Sequence, residues 1–145
     1  DKLRKAAAVA VRKAGKEGSK MEKFLLQGLT RAGYSVIFHK RGLIPNDRLE
    51  VDLFLPELKV AIEVDGPSHF FPIWGEQNLQ KHISADAHKS GLLLRAGYVI
   101  LRVKHITKSI SNKHQRDLLE AVLSSLKTIE NQFPSKGKRF IELEV

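Results

Sequence analysis

The chain has 145 residues, 42% of them hydrophobic and 28% charged, with a formal net charge of +9 and no cysteine. That excludes a disulfide framework and a thiolate metal site, and no uncharged run nears the ~18 residues a membrane span needs. It suits one soluble domain with its own core, in a reducing compartment such as the cytoplasm, and its positive excess points to polyanions, nucleic acid before acidic membrane.

Residues 1–18, "DKLRKAAAVAVRKAGKEG", read as a basic, alanine-rich helical arm that grips phosphates or stays solvated. Ser19 to Glu22 fits a capping box, Ser at the cap and Glu three residues on, followed by an apolar stripe of Phe24, Leu25, Leu26 and Leu29. Gly33 is placed to end that helix. "YSVIFHK" (34–40), "LEVDLFL" (49–55) and "KVAIEVD" (59–65) read as three strands, the first two joined by a Gly-Pro-Asn-Asp turn region and the last two by Pro56-Glu57. A loop over 66–76 leads into a helix over 77–96 closed by Gly97, then a strand over 98–103 and an amphipathic helix over 114–129. Residues 134–145 read as a basic tail in which "FIELEV" can add an edge strand. The expected domains are therefore the arm (1–18), one catalytic unit (19–133) and the tail (134–145).

Acids stand out in the second and third strands. Successive side chains on a strand alternate between faces, so Leu49, Val51, Leu53 and Leu55 are expected on one face, with Glu50, Asp52 and Phe54 on the other. In the next strand Val60, Ile62 and Val64 oppose Ala61, Glu63 and Asp65. Pairing Leu55 with Val60 matches the apolar faces and sets Asp52 opposite Glu63 and Glu50 opposite Asp65. Directly opposed side chains have Cβ atoms about 4.5–5.5 Å apart, and like charges there repel more strongly as water leaves. Either some of these acids hold protons with raised pKa values, or a hard divalent ion, Mg²⁺ or Mn²⁺, sits among Asp52, Glu63 and Asp65. The second solution explains why such an arrangement exists; the alternative is a polar face neutralised by Lys and Arg.

Metal-binding carboxylates inside a basic protein suit phosphodiester hydrolysis. A divalent ion offsets phosphate charge and acidifies water, while Lys and Arg hold the backbone. Lys2, Arg4, Lys5, Arg12, Lys13, Lys40, Arg41, Lys89, Arg102 and Lys104 are the expected nucleic-acid contacts. His69, just past the strand end in "VAIEVDGPSHFF", is a candidate general base or acid; Phe70, Phe71 and Trp74 stack on bases or pack as a lid. Glu22 is either a capping residue or a carboxylate near the acids. His82 and Asp86 share a helical face, with Lys89 three residues beyond Asp86. His39, His88, His105 and His114 carry no visible constellation.

With these motifs the chain resembles the PD-(D/E)xK nuclease superfamily, whose core is α/β: helix, three-strand antiparallel meander, helix, strand, with flanking helices. Within it, "SKMEKFLLQGLTRAGY", "VDLFLP", "VAIEVDGPSHF" and "ADAHKSGLLLRAGYVILRV" are most similar to the very-short-patch-repair-like endonucleases, including the EDxHD homing endonucleases of phages. The resemblance spans residues 19–104. It implies a Mg²⁺-dependent endodeoxyribonuclease with Glu22, Asp52, Asp65 and His69 as catalytic residues, Glu63 at the second-acid position and Asp86 at a later acid. In a phage-encoded enzyme the compartment is the bacterial cytoplasm, and base-reading surface beyond this core is expected in a longer protein. One departure is plain. The superfamily's lysine stands two residues after the second acid, where this chain has Asp65, so His69 or a migrated Lys89 must take its part. "IEVDGPSHF" with "LLLRAGYVILRV" is also similar to the RAP domain of organellar RNA-binding proteins, which implies RNA as partner and no catalysis.

Overall fold

A computed structural model describes residues 20–65, 76–104 and 111–144, with residues 76–85 described by backbone alone. Its elements run α1 (Lys20–Arg31), β1 (Ile37–Arg41), β2 (Glu50–Leu55), β3 (Val60–Asp65), α2 (Glu76–Arg95), β4 (Val99–Lys104), α3 (Asn112–Asn131) and β5 (Phe140–Glu144). None of the described helices is long and apolar enough to cross a membrane. The basic arm and the Ser19 end of the capping box lie outside the described residues.

Glycines close two of the helices where the sequence places them. Gly33 and Gly97 both have positive φ, at 98° and 94°. After each, a tyrosine N–H reaches back five residues, Tyr34 to Leu29 O and Tyr98 to Leu93 O, both at 3.1 Å. This is the Schellman arrangement, which needs a residue tolerant of left-handed backbone. The third helix starts two residues before the expected point because Ser111 caps it, its Oγ accepting from His114 N at 3.1 Å.

The five strands form one mixed sheet in the order β1-β2-β3-β4-β5. β1, β2 and β3 make an antiparallel meander, while β4 and β5 continue parallel to β3. The stretch expected as a tail thus contributes β5 to the sheet. Two cores flank it. On one face α1 and α3 cover Leu53, Leu55, Ile62 and Leu101; on the other, Leu93 of α2 packs on Val51, Phe54, Ala61 and Ile100. Parallel crossovers in a sheet are almost always right-handed. Here β3-α2-β4 and β4-α3-β5 step in the same direction with helices on opposite faces, so one of the two is left-handed. α1 and α3 approach closely at Gly28, where a Cβ would lie 2.5 Å from Leu119 Cδ2.

The register matches expectation at the β2–β3 turn, with Leu55 beside Val60 and Leu53 beside Ile62. The expected single face of β2 does not hold. Leu53 and Leu55 enter the α1/α3 core, whereas Leu49 and Val51 pack on the α2 side. The switch falls at Asp52. In the β1–β2 register Asp52 faces His39, between the pairs Phe38↔Leu53 and Lys40↔Val51, and His39 has φ of +51°. Left-handed backbone is uncommon for a residue with a Cβ, histidine being among the more tolerant types. It breaks the alternation on β1, and the His39 ring stacks on its own neighbour Phe38, with ring centroids 3.9 Å apart.

Leu101 lies fully buried on the inner strand β4. Leu101→Ala is expected to cost about 2–5 kcal/mol in urea unfolding, and a loss below about 1 kcal/mol would contradict this packing.

Candidate metal centre

All six residues of β3 are buried, yet it ends in two acids. Its position explains the strain: β2 covers one edge, β4 the other, and helices cover both faces. A strand buried in this way normally reads as an unbroken apolar run. Glu63 and Asp65 therefore each need a partner.

Asp65 has one in Arg102, whose Nε lies 2.9 Å from Asp65 Oδ2 with both side chains largely buried. Arg102 also lies over the Phe140 ring, 5.6 Å from its centroid. Asp65 is thereby drawn toward β4. The expected pairing of Asp65 with Glu50 is not among the β2–β3 partners, which run from Leu55↔Val60 to Leu53↔Ile62; Glu50 instead stands opposite Arg41 of β1, whose Nε is 3.3 Å from its Oε1. The contact with Arg102 also separates Asp65 from the cluster built around Asp52. Lys104 pairs with Glu142 of β5, so Arg102 and Lys104 act within the sheet.

Glu63 meets Lys89 from α2, with Lys89 Nζ 2.5 Å from Glu63 Oε1. The ammonium does not fully offset its surroundings. Burial, then the negative charge of Asp52, pushes the Glu63 pKa well above the ordinary carboxylate range; Lys89 pulls it down by less, and a hydrogen bond with Asp52 favours the protonated form. The expected juxtaposition of Asp52 and Glu63 is therefore present. Asp52 is oriented by the backbone, its Oδ2 accepting from Val64 N at 2.8 Å.

Two further groups converge on Asp52 from the α1 side. Glu22 Oε2 and His39 Nε2 are 3.0 Å apart, and Glu22, His39 and Asp52 each offer a ligand atom within 4.8 Å of the other two. Glu22, in the first turn of α1, points at the sheet. His39 is the residue that sequence reasoning missed. Regular alternation would send it to the other face; only the left-handed backbone brings it here, and no signal in the sequence announces that.

The remaining candidates are scattered. Asp86 is half-buried on α2, one turn before Lys89, and engaged by interactions of its own. Lys40 is half-buried and Arg41 exposed on β1. His69, Phe70, Phe71, Trp74, Lys2, Arg4, Lys5, Arg12 and Lys13 lie outside the described residues, as does the side chain of His82.

The donor set of two carboxylates and an imidazole, beside a third carboxylate that favours its proton, fits a divalent ion. Comparison with protein-family models, with curated proteins and with solved structures gives no match.

Two predictions follow from these charges. A carboxyl with a raised folded-state pKa binds more protons folded than unfolded, so its contribution to stability is complete below the usual carboxylate pKa and is lost as pH rises through the folded value. In EDTA, the melting temperature should therefore fall from about pH 4.5, the ordinary glutamate value, toward neutrality, and Glu63→Gln should flatten that fall; identical pH profiles would contradict it. Arg102→Met removes the cation beside buried Asp65 and should cost about 3–5 kcal/mol in chemical unfolding, whereas a loss under about 1 kcal/mol would mean the pair is dispensable.

Proposed function

We propose that this chain is a metal-dependent nuclease of PD-(D/E)xK type, cleaving phosphodiester bonds in DNA with Mg²⁺ or Mn²⁺, as homing endonucleases of the EDxHD kind do. The observation that carries the reading is half-buried Asp52 beside buried Glu63, with Lys89 Nζ 2.5 Å from Glu63. Two acids on adjacent strands and one ammonium form the combination the superfamily's motif requires. The lysine here comes from α2 rather than from the position after Glu63, where Asp65 stands.

Asp52, with Glu22 and His39, would hold the divalent ion, which would supply positive charge to the scissile phosphate and make water more acidic. The chain's own residues do the rest. Val64 N–H fixes the Asp52 carboxylate. Lys89 holds Glu63 and places a cation where negative charge builds on the phosphate. Arg41, exposed at the end of β1, is available to the nucleic-acid backbone once it leaves Glu50, a solvent-screened pair of small worth. The net charge of +9 draws the polyanion in.

A second reading, an RNA-binding module of RAP type without catalysis, is favoured by one observation: Glu63 and Asp65 already have cationic partners in Lys89 and Arg102. One experiment separates the two. The protein is incubated with supercoiled plasmid and with structured RNA, in Mg²⁺, Mn²⁺ or EDTA. The nuclease reading expects metal-dependent nicking or linearisation of DNA, reduced at least about 100-fold by Asp52→Ala, Glu63→Ala and Lys89→Ala. DNA intact under every metal, with RNA bound equally well in EDTA and by Asp52→Ala, would overturn it.

A further inference from the structure

We propose that Glu22, His39 and Asp52 form a mixed nitrogen–oxygen site for a first-row divalent transition ion, Mn²⁺ or a later member of the series, in preference to Mg²⁺. The proposal rests on the nuclease reading for what the ion does, but not for its binding.

The three donors come from three separate elements, α1, β1 and β2, and converge without a shared local motif. Bond lengths to such ions are about 2.0–2.2 Å, which puts ligand atoms on one ion about 3 Å apart when adjacent and about 4.3 Å apart when opposite. Glu22 Oε2 and His39 Nε2 stand at 3.0 Å, and all three residues fall within 4.8 Å of one another. The donors are also held in place. Val64 N–H fixes Asp52 at 2.8 Å, the Phe38 ring lies 3.9 Å centroid to centroid from the His39 ring, and positive φ at His39 turns it to this face. Supporting contacts of this kind orient ligands in metal sites.

The imidazole decides the class of ion. Mg²⁺ prefers an all-oxygen shell and keeps its waters, whereas a neutral imidazole suits the transition series, with affinity rising from Mn²⁺ onward. The alternative to a metal in this space is the His39–Glu22 contact itself, a hydrogen bond at 3.0 Å.

The test uses the whole chain labelled with ¹⁵N-histidine and Mn²⁺ as the probe. Pulsed electron paramagnetic resonance should show one histidine nitrogen bound to Mn²⁺, and competition should show Mn²⁺ bound at least tenfold more tightly than Mg²⁺. His39→Asn keeps a side chain tolerant of left-handed backbone; it should lose the nitrogen signal and bind Mn²⁺ at least tenfold more weakly. If it fails to fold, Glu22→Gln provides the same affinity comparison. No nitrogen coupling in the wild type, a coupling retained in His39→Asn, or equal affinity for the two metals would overturn the site. Nitrogen-ligated Mn²⁺ in a protein that cleaves neither DNA nor RNA would keep the site and remove the nuclease reading. Mg²⁺-driven cleavage without nitrogen ligation would do the reverse.

Discussion

A strand enclosed on both faces and both edges carries two carboxylates, and the rest of the structure answers to that. Moving an ionised carboxylate out of water costs several kcal/mol unless nearby groups match it. Arg102 matches Asp65 at 2.9 Å. Lys89 reaches Glu63, but Asp52 stands on the next strand, and Glu63 still favours its protonated form. Asp52 itself receives a backbone N–H and forms no ion pair with Lys or Arg among the described residues. Negative charge is therefore concentrated at Asp52 and Glu63, with the Glu22–His39 pair beside Asp52. A divalent ion is the simplest group that resolves this without sacrificing a carboxylate.

The topology concentrates this chemistry at one end of the sheet. β3 and β4 run parallel and end in Glu63-Val64-Asp65 and Arg102-Val103-Lys104, in matched register. β2 runs the other way, so its early residue Asp52 arrives at the same end. The crossover helix α2 brings Lys89 over one face, and α1 brings Glu22 to the other. Ligand sites in α/β proteins gather beyond the carboxyl ends of parallel strands, and the acids obey that rule although part of the sheet is antiparallel.

Much of this was legible in the sequence because it rests on local rules. Gly33 and Gly97 end helices where left-handed backbone is needed, and alternation in β3 fixed which face Val60, Ile62 and Val64 take. The Leu55–Val60 pairing followed from matching apolar faces across a four-residue turn, and with it came the approach of Asp52 to Glu63. What was hidden depends on departures from regularity or on distance along the chain. Leu49, Val51, Leu53 and Leu55 look like one face, yet β2 changes face at Asp52 opposite the left-handed His39, whose place in the cluster no spacing reveals. Lys89 lies 26 positions beyond Glu63 in the chain, and its contact depends on how α2 crosses the sheet. Asp65 resembled a metal ligand by spacing, but the parallel neighbour β4 supplied Arg102, and strand order is not written in a local motif.

The most direct measurement is anomalous diffraction at the manganese edge from crystals grown with Mn²⁺. A peak is expected at bonding distance, about 2.2 Å, from a carboxylate oxygen of Asp52. Full-occupancy protein density with no peak there, and Asp52 joined to Glu63 by a shared proton, would contradict it.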